Sequence, residues 1–252
     1  MGVHRPRVEK LFPAPDLEPL LLATTRAVEL NLRCGHLDTV DLLQAVLTSE
    51  IAGRVAVVSS FGAESAVLLH LVAEIDPNVP VIFLNTGKLF GETLSYRESL
   101  AERLGLTDVR DLRPEPGDLA AEDREGLLAL QNPEQCCFLR KVLPLRRALD
   151  GVDTWISGRK AFQSMTRASL PLIEPDGNRV KINPLANWSK AALDGYFERH
   201  DLPRHPLEAE GFLSIGCMPC TDRVLPGEDA RAGRWRGREK TECGIHNRGT
   251  DR

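Results

Sequence analysis

Cysteine, aromatic residues, long apolar runs and a surplus of one charge are all scarce in this chain. Six cysteines in 252 residues fall far below the roughly 8–10% that marks a small disulfide-stapled scaffold. A chain of this length buries enough surface to fold without such staples, and it accommodates one large domain or two small ones. No apolar stretch approaches the ~20 residues of a membrane-spanning helix. The opening MGVHRPRVEKLFPAPDLEPLL has prolines and charges where a signal peptide needs its apolar segment. Gly2 would suit myristoylation, but Pro6 stands where Ser or Thr is required. The sequon Asn187-Trp188-Ser189 has no secretion signal to give it meaning. Lys and Arg number 32 against 36 Asp and Glu, a net charge of −4, which argues against a generally basic nucleic-acid-binding protein. The expected setting is a reducing cytoplasm, without membrane or nucleic-acid partners. There, clustered cysteines serve metals or catalysis more often than disulfides.

What is present begins with periodicity. Leu20, Leu21, Thr24, Val28 and Leu32 recur at helical spacing, and Leu42, Leu43 and Val46 suggest a second helix. Cys34 between them reads as a free structural thiol. Residues 1–50 are therefore expected to form an N-terminal helical segment packed on a core domain, 51–225. From Val55 the pattern becomes β-α-β. Val55–Val58 reads as a buried parallel strand, followed by a helix over Ala66–Ile75. Val81–Leu84 is a second strand, then a helix from about Gly91 to Leu104 follows. Asp108–Leu112 is a weaker strand, and Thr154–Ser157 another. Pro175-Asp176-Gly177-Asn178 predicts a hairpin turn. Ser189 predicts the cap of a helix to about His200. The expected fold is α/β: an open, mostly parallel twisted sheet with helices on both faces. After Pro226 the composition turns to Gly, Arg and Glu, which predicts a mobile C-terminal tail over 226–252.

Three constellations carry chemistry. Ser59-Ser60-Phe61-Gly62-Ala63-Glu64-Ser65 links a strand to a helix, a setting in which backbone N–H groups and hydroxyls meet an anion. Asn85-Thr86-Gly87-Lys88 closes the next strand, at the same carboxyl edge where open α/β sheets bind ligands. The second constellation is Cys136-Cys137 with Cys217-x-x-Cys220, four thiolates that suffice for a metal shell. Adjacent helical side chains diverge by ~100°, so an iron–sulfur cluster with separated corners accepts the tandem pair more readily than one zinc ion. Structural zinc, or a redox pair with buried thiols, are the other arrangements that fit. Lys141, one turn beyond Cys137, would bring an ammonium near these thiolates. The third is the tail: Arg231, Arg234, Arg236, Arg238 and Lys240 precede Cys243. Dense arginines suit phosphate or sulfate, and positive surroundings lower a thiol pKa and make a nucleophile.

Together these residues resemble the assimilatory adenylylsulfate reductases, within the thioredoxin-dependent 3′-phosphoadenylylsulfate/adenylylsulfate reductase family, over about residues 53–246. Ser59–Ser65 is similar to the family's modified pyrophosphate loop, and Leu84–Gly87 to its second nucleotide loop. Gly158-Arg159 and Arg167 match its substrate-binding stretch. Arg231, Arg234 and Trp235 match the sulfate-binding stretch. Glu242-Cys243-Gly244-Ile245-His246 is similar to the ending that carries the nucleophile. The loop reads SSFGAES rather than the SGGxDS of related ATP pyrophosphatases, and Lys88 stands where the family often has arginine. The resemblance implies an adenine nucleotide alpha hydrolase-like fold and a [4Fe–4S] cluster on Cys136, Cys137, Cys217 and Cys220. It implies adenylylsulfate as substrate, thioredoxin as reductant and Cys243 as the attacking thiol, and it admits a homo-oligomer. Two rivals within the fold are a 3′-phosphoadenylylsulfate reductase of the same chemistry and an adenylyl transferase with structural zinc. A zinc-bound nucleic-acid module using the Arg-rich tail is the non-enzymatic rival.

Overall fold

A computed structural model describes residues 17–163, 167–240 and 242–246. The start of the N-terminal segment (1–16) and the end of the tail (247–252) lie outside the described residues. The strands are β1 Val55–Ser59, β2 Val81–Leu84, β3 Val109–Leu112, β4 Thr154–Ser157, β5 Ile173–Asp176 and β6 Arg179–Ile182. They form one sheet in the order β3-β2-β1-β4-β6-β5. Pairing is parallel except between β5 and β6. The central strands β1, β2 and β4 are buried almost throughout, because both faces of the sheet are covered. That is why they read as apolar runs rather than as alternation. Val57 sits opposite Val81 on one side and Ile156 on the other. Pro175 lies in β5, the edge strand, where a missing N–H breaks no ladder between two neighbours.

On one face pack α1 Leu17–Cys34, α2 Thr39–Leu47, α3 Ser65–Ala73 and part of α4 Gly91–Arg103, together with a last helix named below. The apolar face expected of α1 is the one turned outward: Leu21, Val28 and Leu32 are exposed. Its buried face is Ala23, Ala27, Leu30 and Cys34, since small alanines let the helix approach β5 and β6 closely. Asn31 Nδ2 donates to the carbonyl of Ile173, and Arg26 pairs with Asp153 at 3.1 Å. Cys34 is a free, buried thiol.

Between β3 and β4 the chain breaks into short pieces: α5 Pro116–Glu122, α6 Leu128–Gln131, α7 Pro133–Cys137, a π-helical turn Phe138–Val142, and α8 Leu143–Ala148. Pro144 has no N–H to return to the carbonyl of Arg140, and the N–H of Leu143 donates instead to Phe138. A wider turn absorbs that mismatch. Leu145 and Leu149 cover the other sheet face against Ala56, Val58, Ile82, Leu84 and Trp155. This layer is thin, so truncating Leu145 to Ala would cost about 2–5 kcal/mol. Helix α9, Lys190–Arg199, begins as expected: Ser189 Oγ accepts from the N–H of Ala192 at 3.1 Å.

Candidate active site

Two adjacent cavities share a wall of cations. The larger, of about 220 Å³, lies at the carboxyl ends of β1, β2 and β4. Ser59, Ser60, Gly62, Glu64 and Ser65 line it from the β1–α3 turn, and Leu84 from β2. Gly158, Arg159 and Arg167 follow from the segment after β4. Arg231, Arg234, Trp235, Cys243 and His246 enter from the C-terminal segment. The smaller cavity is lined by Cys136, Cys137, Cys217 and Cys220. Lys141, Arg234 and Trp235 line both.

The β1–α3 turn is held by its own serines. Ser59 Oγ accepts from Phe61 N–H at 3.2 Å, and Ser65 Oγ accepts from Gly62 N–H at 2.9 Å. Those two amides are therefore spent inside the turn, not on a ligand. Phe61 takes φ of 47°, a region that side chains rarely adopt. Its ring, fully buried edge-on against Phe83 at 5.5 Å, supplies the packing that holds it there. Glu64 receives Lys160 at 2.9 Å and Gln163 at 2.8 Å.

Asn85, Thr86 and Gly87 do not line the larger cavity. Asn85 Nδ2 donates to Asp111, and its Oδ1 accepts from Gly87 N–H. Thr86 Oγ1 lies 3.2 Å from Cys217 Sγ, and its carbonyl accepts from Arg140 at 2.8 Å. Arg140 in turn makes a buried ion pair with Asp123 at 2.5 Å. This loop braces the cysteine cavity. Lys88 does the same, donating to the carbonyl of Gly126 at 2.9 Å.

The C-terminal segment is tied down residue by residue. Trp235 N–H and Arg234 Nε donate to the carbonyl of Cys220. A Cβ at Gly216 would collide with the Arg234 guanidinium, so glycine there lets arginine lie against the backbone entering Cys217. Arg236 pairs with Glu228, Arg238 donates to Ala129, and Lys240 meets Glu134 at 2.5 Å. The residue before the terminal thiol is clamped most tightly: Glu242 receives both Nε and a terminal nitrogen of Arg167, at 2.6 and 2.7 Å, with Arg231 at 3.5 Å. Burial alone would push the Glu242 pKa up, but Arg167, Arg231 and Arg159 hold it below the ordinary glutamate value. Burial presses Arg231 down to about 10, with Arg167 repelling it.

Cys243 sits in hydrogen-bond contact with Cys137, and that contact is the largest influence holding its pKa well below the ordinary thiol value. Burial opposes the shift; Lys141, the N–H of Ile245 and Arg234 support it. Cys137 is correspondingly raised, first by the same bond and then by burial. Burial lowers the pKa of Lys141, but Cys217, Cys243 and Cys137 outweigh it and raise the net value. His246 stacks over Trp155 with rings 6.1 Å apart and 4° from parallel. Burial first, then Lys181 and Arg159, keep it neutral.

The four cysteines of the smaller cavity are buried, free thiols. Among the described residues no three His, Cys, Asp or Glu side chains converge to hold one metal ion. Trp235 Nε1 and Arg140 Nε are buried without a hydrogen-bond partner. Sequence reasoning missed several wall residues, among them Leu89, Thr93 and Ile215. Thr93 stands in the first turn of α4, directly after β2, and that position was its one signal.

The phosphoadenosine phosphosulfate reductase domain model matches residues 54–223. The chain is 49% identical over 226 residues to the adenosine 5′-phosphosulfate reductase of Mesorhizobium japonicum, covering 90% of this chain and 89% of that protein. The enzyme of that name from Mycobacterium tuberculosis is 44% identical, covering 72% of each. A crystal structure of phosphoadenylyl-sulfate reductase from Candida auris superimposes with a TM-score of 0.65 at 26% identity, covering 79% of this chain and 96% of that one. Yeast FAD synthetase shares the fold, with a TM-score of 0.50 at 16% identity over 81% of this chain and 76% of its own. The chain belongs to the phosphoadenosine phosphosulfate reductase family.

Proposed function

We propose that the protein reduces adenylylsulfate to sulfite and AMP in assimilatory sulfate reduction, with Cys243 as nucleophile and thioredoxin as electron donor, in the cytoplasm. The observation that carries this reading is the convergence of the Cys243 thiol, Lys141 and a group of arginines on one cavity beside the four-cysteine cavity. Relatives named for adenosine 5′-phosphosulfate, at 41–49% identity, support that substrate.

The nucleotide lies at the strand ends, with its phosphosulfate toward Arg159, Arg167, Arg231, Arg234 and Lys141. Fixed cations there stabilise the charge that builds on the departing phosphate and on the sulfonate oxygens. The Cys243 thiolate attacks sulfur, the S–O bond to phosphate breaks, and AMP leaves with the electron pair. The product on the enzyme is an S-sulfocysteine. One thioredoxin thiolate attacks Cys243 Sγ and expels sulfite; the second thioredoxin thiol resolves the mixed disulfide and returns Cys243. Thioredoxin loses two electrons and sulfur falls from +6 to +4, so the balance closes without another reductant. Glu242 holds the arginines that the substrate's anion needs. Substrate entry and tail movement are therefore coupled, a gating step.

Cys136, Cys137, Cys217 and Cys220 would hold a [4Fe–4S] cluster. The residues fit it: four free thiols surround one cavity without converging on a point, and the unpartnered donors Trp235 Nε1 and Arg140 Nε border it. When bound, the cluster supplies a fixed charge and shape beside the sulfate end. Cys137 would then serve as a thiolate ligand, and Lys141, Arg234 and the Ile245 amide would be the groups that stabilise the Cys243 thiolate.

The test is anaerobic purification, a visible spectrum, and sulfite release from adenylylsulfate and from its 3′-phosphorylated form with thioredoxin present. A brown protein that prefers adenylylsulfate is expected. A colourless, inactive zinc protein would overturn the reading.

A further inference from the structure

One wall of the larger cavity carries a hydroxyl whose proton has no acceptor among the described residues. Thr93, in the first turn of α4, is 1% exposed. Its backbone N–H donates to the carbonyl of Phe90 at 3.2 Å. Its Oγ1 lies 3.0 Å from His205 Nε2. The other ring nitrogen of His205, Nδ1, accepts from the N–H of Leu207 at 3.2 Å. A ring nitrogen that accepts carries no proton, so in a neutral imidazole the proton sits on Nε2. The ring is neutral because it is buried, 1% exposed and packed 4.9 Å from Tyr96; burial presses its pKa down to about 4. Nε2–H therefore donates and Thr93 Oγ1 accepts. The proton of Thr93 itself is left over, and among the described residues the hydroxyl makes no other hydrogen bond.

That proton is available to whatever fills the cavity, which Thr93 lines beside Leu89 and Ile215. The surroundings are apolar: Ile215 and Ala63 pack with Leu207 and Phe90. The cations of the cavity come from other elements: the π-helical turn, the segment after β4 and the C-terminal segment. A ligand with a flat, weakly polar base at one end and an anion at the other is sorted by that division. A lone hydroxyl donor in an apolar wall is costly if left unpaired, so it selects a base that presents an acceptor.

We propose that Thr93 is the hydroxyl donor that reads an unprotonated ring nitrogen of the purine, and that His205 is a positioning residue that fixes the direction of that donor. The inference rests on the reading that the cavity takes an adenine nucleotide. The test is calorimetric titration of the full-length protein with AMP and with ribose 5-phosphate. T93V should bind AMP about tenfold more weakly and ribose 5-phosphate unchanged, and T93S should restore AMP. H205N keeps the acceptor for Leu207 but loses the donor, and should weaken AMP. H205Q puts a donor back at the Nε2 position and should recover it. With the unmodified protein, one of the N1-, N3- and N7-deaza analogues of AMP should lose about tenfold, and lose nothing further against T93V. Equal affinity of the protein for AMP and all three analogues would overturn the proposal. So would a T93V loss of the same size for AMP and ribose 5-phosphate. A protein that binds AMP in no form would instead bring down the nucleotide reading, and this inference with it.

Discussion

The two cavities are built in opposite ways. The floor of the larger one stands on regular structure: strand ends, a serine-braced turn and a helix start, over which the segment after β4 and the C-terminal segment close. The cysteine cavity stands on irregular structure: a π-helical turn, a 3-10 turn at Met218–Cys220, and two isolated bridges, Leu89 with Cys217 and Thr221 with Arg234. Regular elements fix a binding surface to within the sheet's own rigidity. Irregular ones let Lys88, Cys136, Cys137, Arg140, Lys141, Cys217, Cys220, Arg234 and Trp235 line one cavity, which no single helix or strand can do. The shared wall of Lys141, Arg234 and Trp235 joins binding to reaction.

The sharpest way to separate the two is Cys243→Ser. Sulfite release with thioredoxin should fall by at least about 10³-fold, as expected when a nucleophile is lost, while AMP still binds. Normal turnover in that variant would remove the reaction from the shared wall. Next in size, Cys136→Ser should lose the visible chromophore after anaerobic purification yet keep AMP binding; an unchanged brown colour would show the cavities are not divided as described. Arg167→Ala tests the cationic lining from the other side. Loss of a buried, bidentate guanidinium should weaken adenylylsulfate binding by about 30-fold or more, and Arg167→Lys should rescue only part of it, since the fork is gone.

A smaller effect comes from His205, where the sign follows from its depressed pKa. The unfolded chain takes up a proton near 6.5 while the folded ring resists to about 4. Stability from this group is complete above 6.5 and is lost as pH falls through that window. The Tm of the parent should drop there, and His205→Gln should lack that component of the slope; equal slopes would show that the ring is not held neutral. The smallest effect is Ser189→Ala, far from both cavities. It should lower Tm by about 2–4 °C through a lost helix cap and leave sulfite release untouched, giving the baseline for a purely structural change.

The sequence by itself determined the layers. Apolar runs at β1, β2 and β4, the hairpin turn before Arg179 and the Ser189 cap are local signals, because period and capping chemistry need only a few neighbouring residues. It also marked the four clustered cysteines and the terminal thiol, since residue type and spacing carry that information. Tertiary structure decided the rest. Which face of α1 is buried depended on small Ala23 and Ala27 fitting against β5 and β6, not on where the leucines lay. The short helices around Cys136 have too few turns to show a period, and the π-turn depends on Pro144 withholding an N–H. Asn85-Thr86-Gly87 faces the cysteines because Asp111 and Arg140, distant in sequence, draw it there. The neutral His205 behind Thr93 is the clearest case: the ring's proton is placed by an amide two residues on, and its partner lies 112 residues away. Only the folded chain brings those three groups into one line.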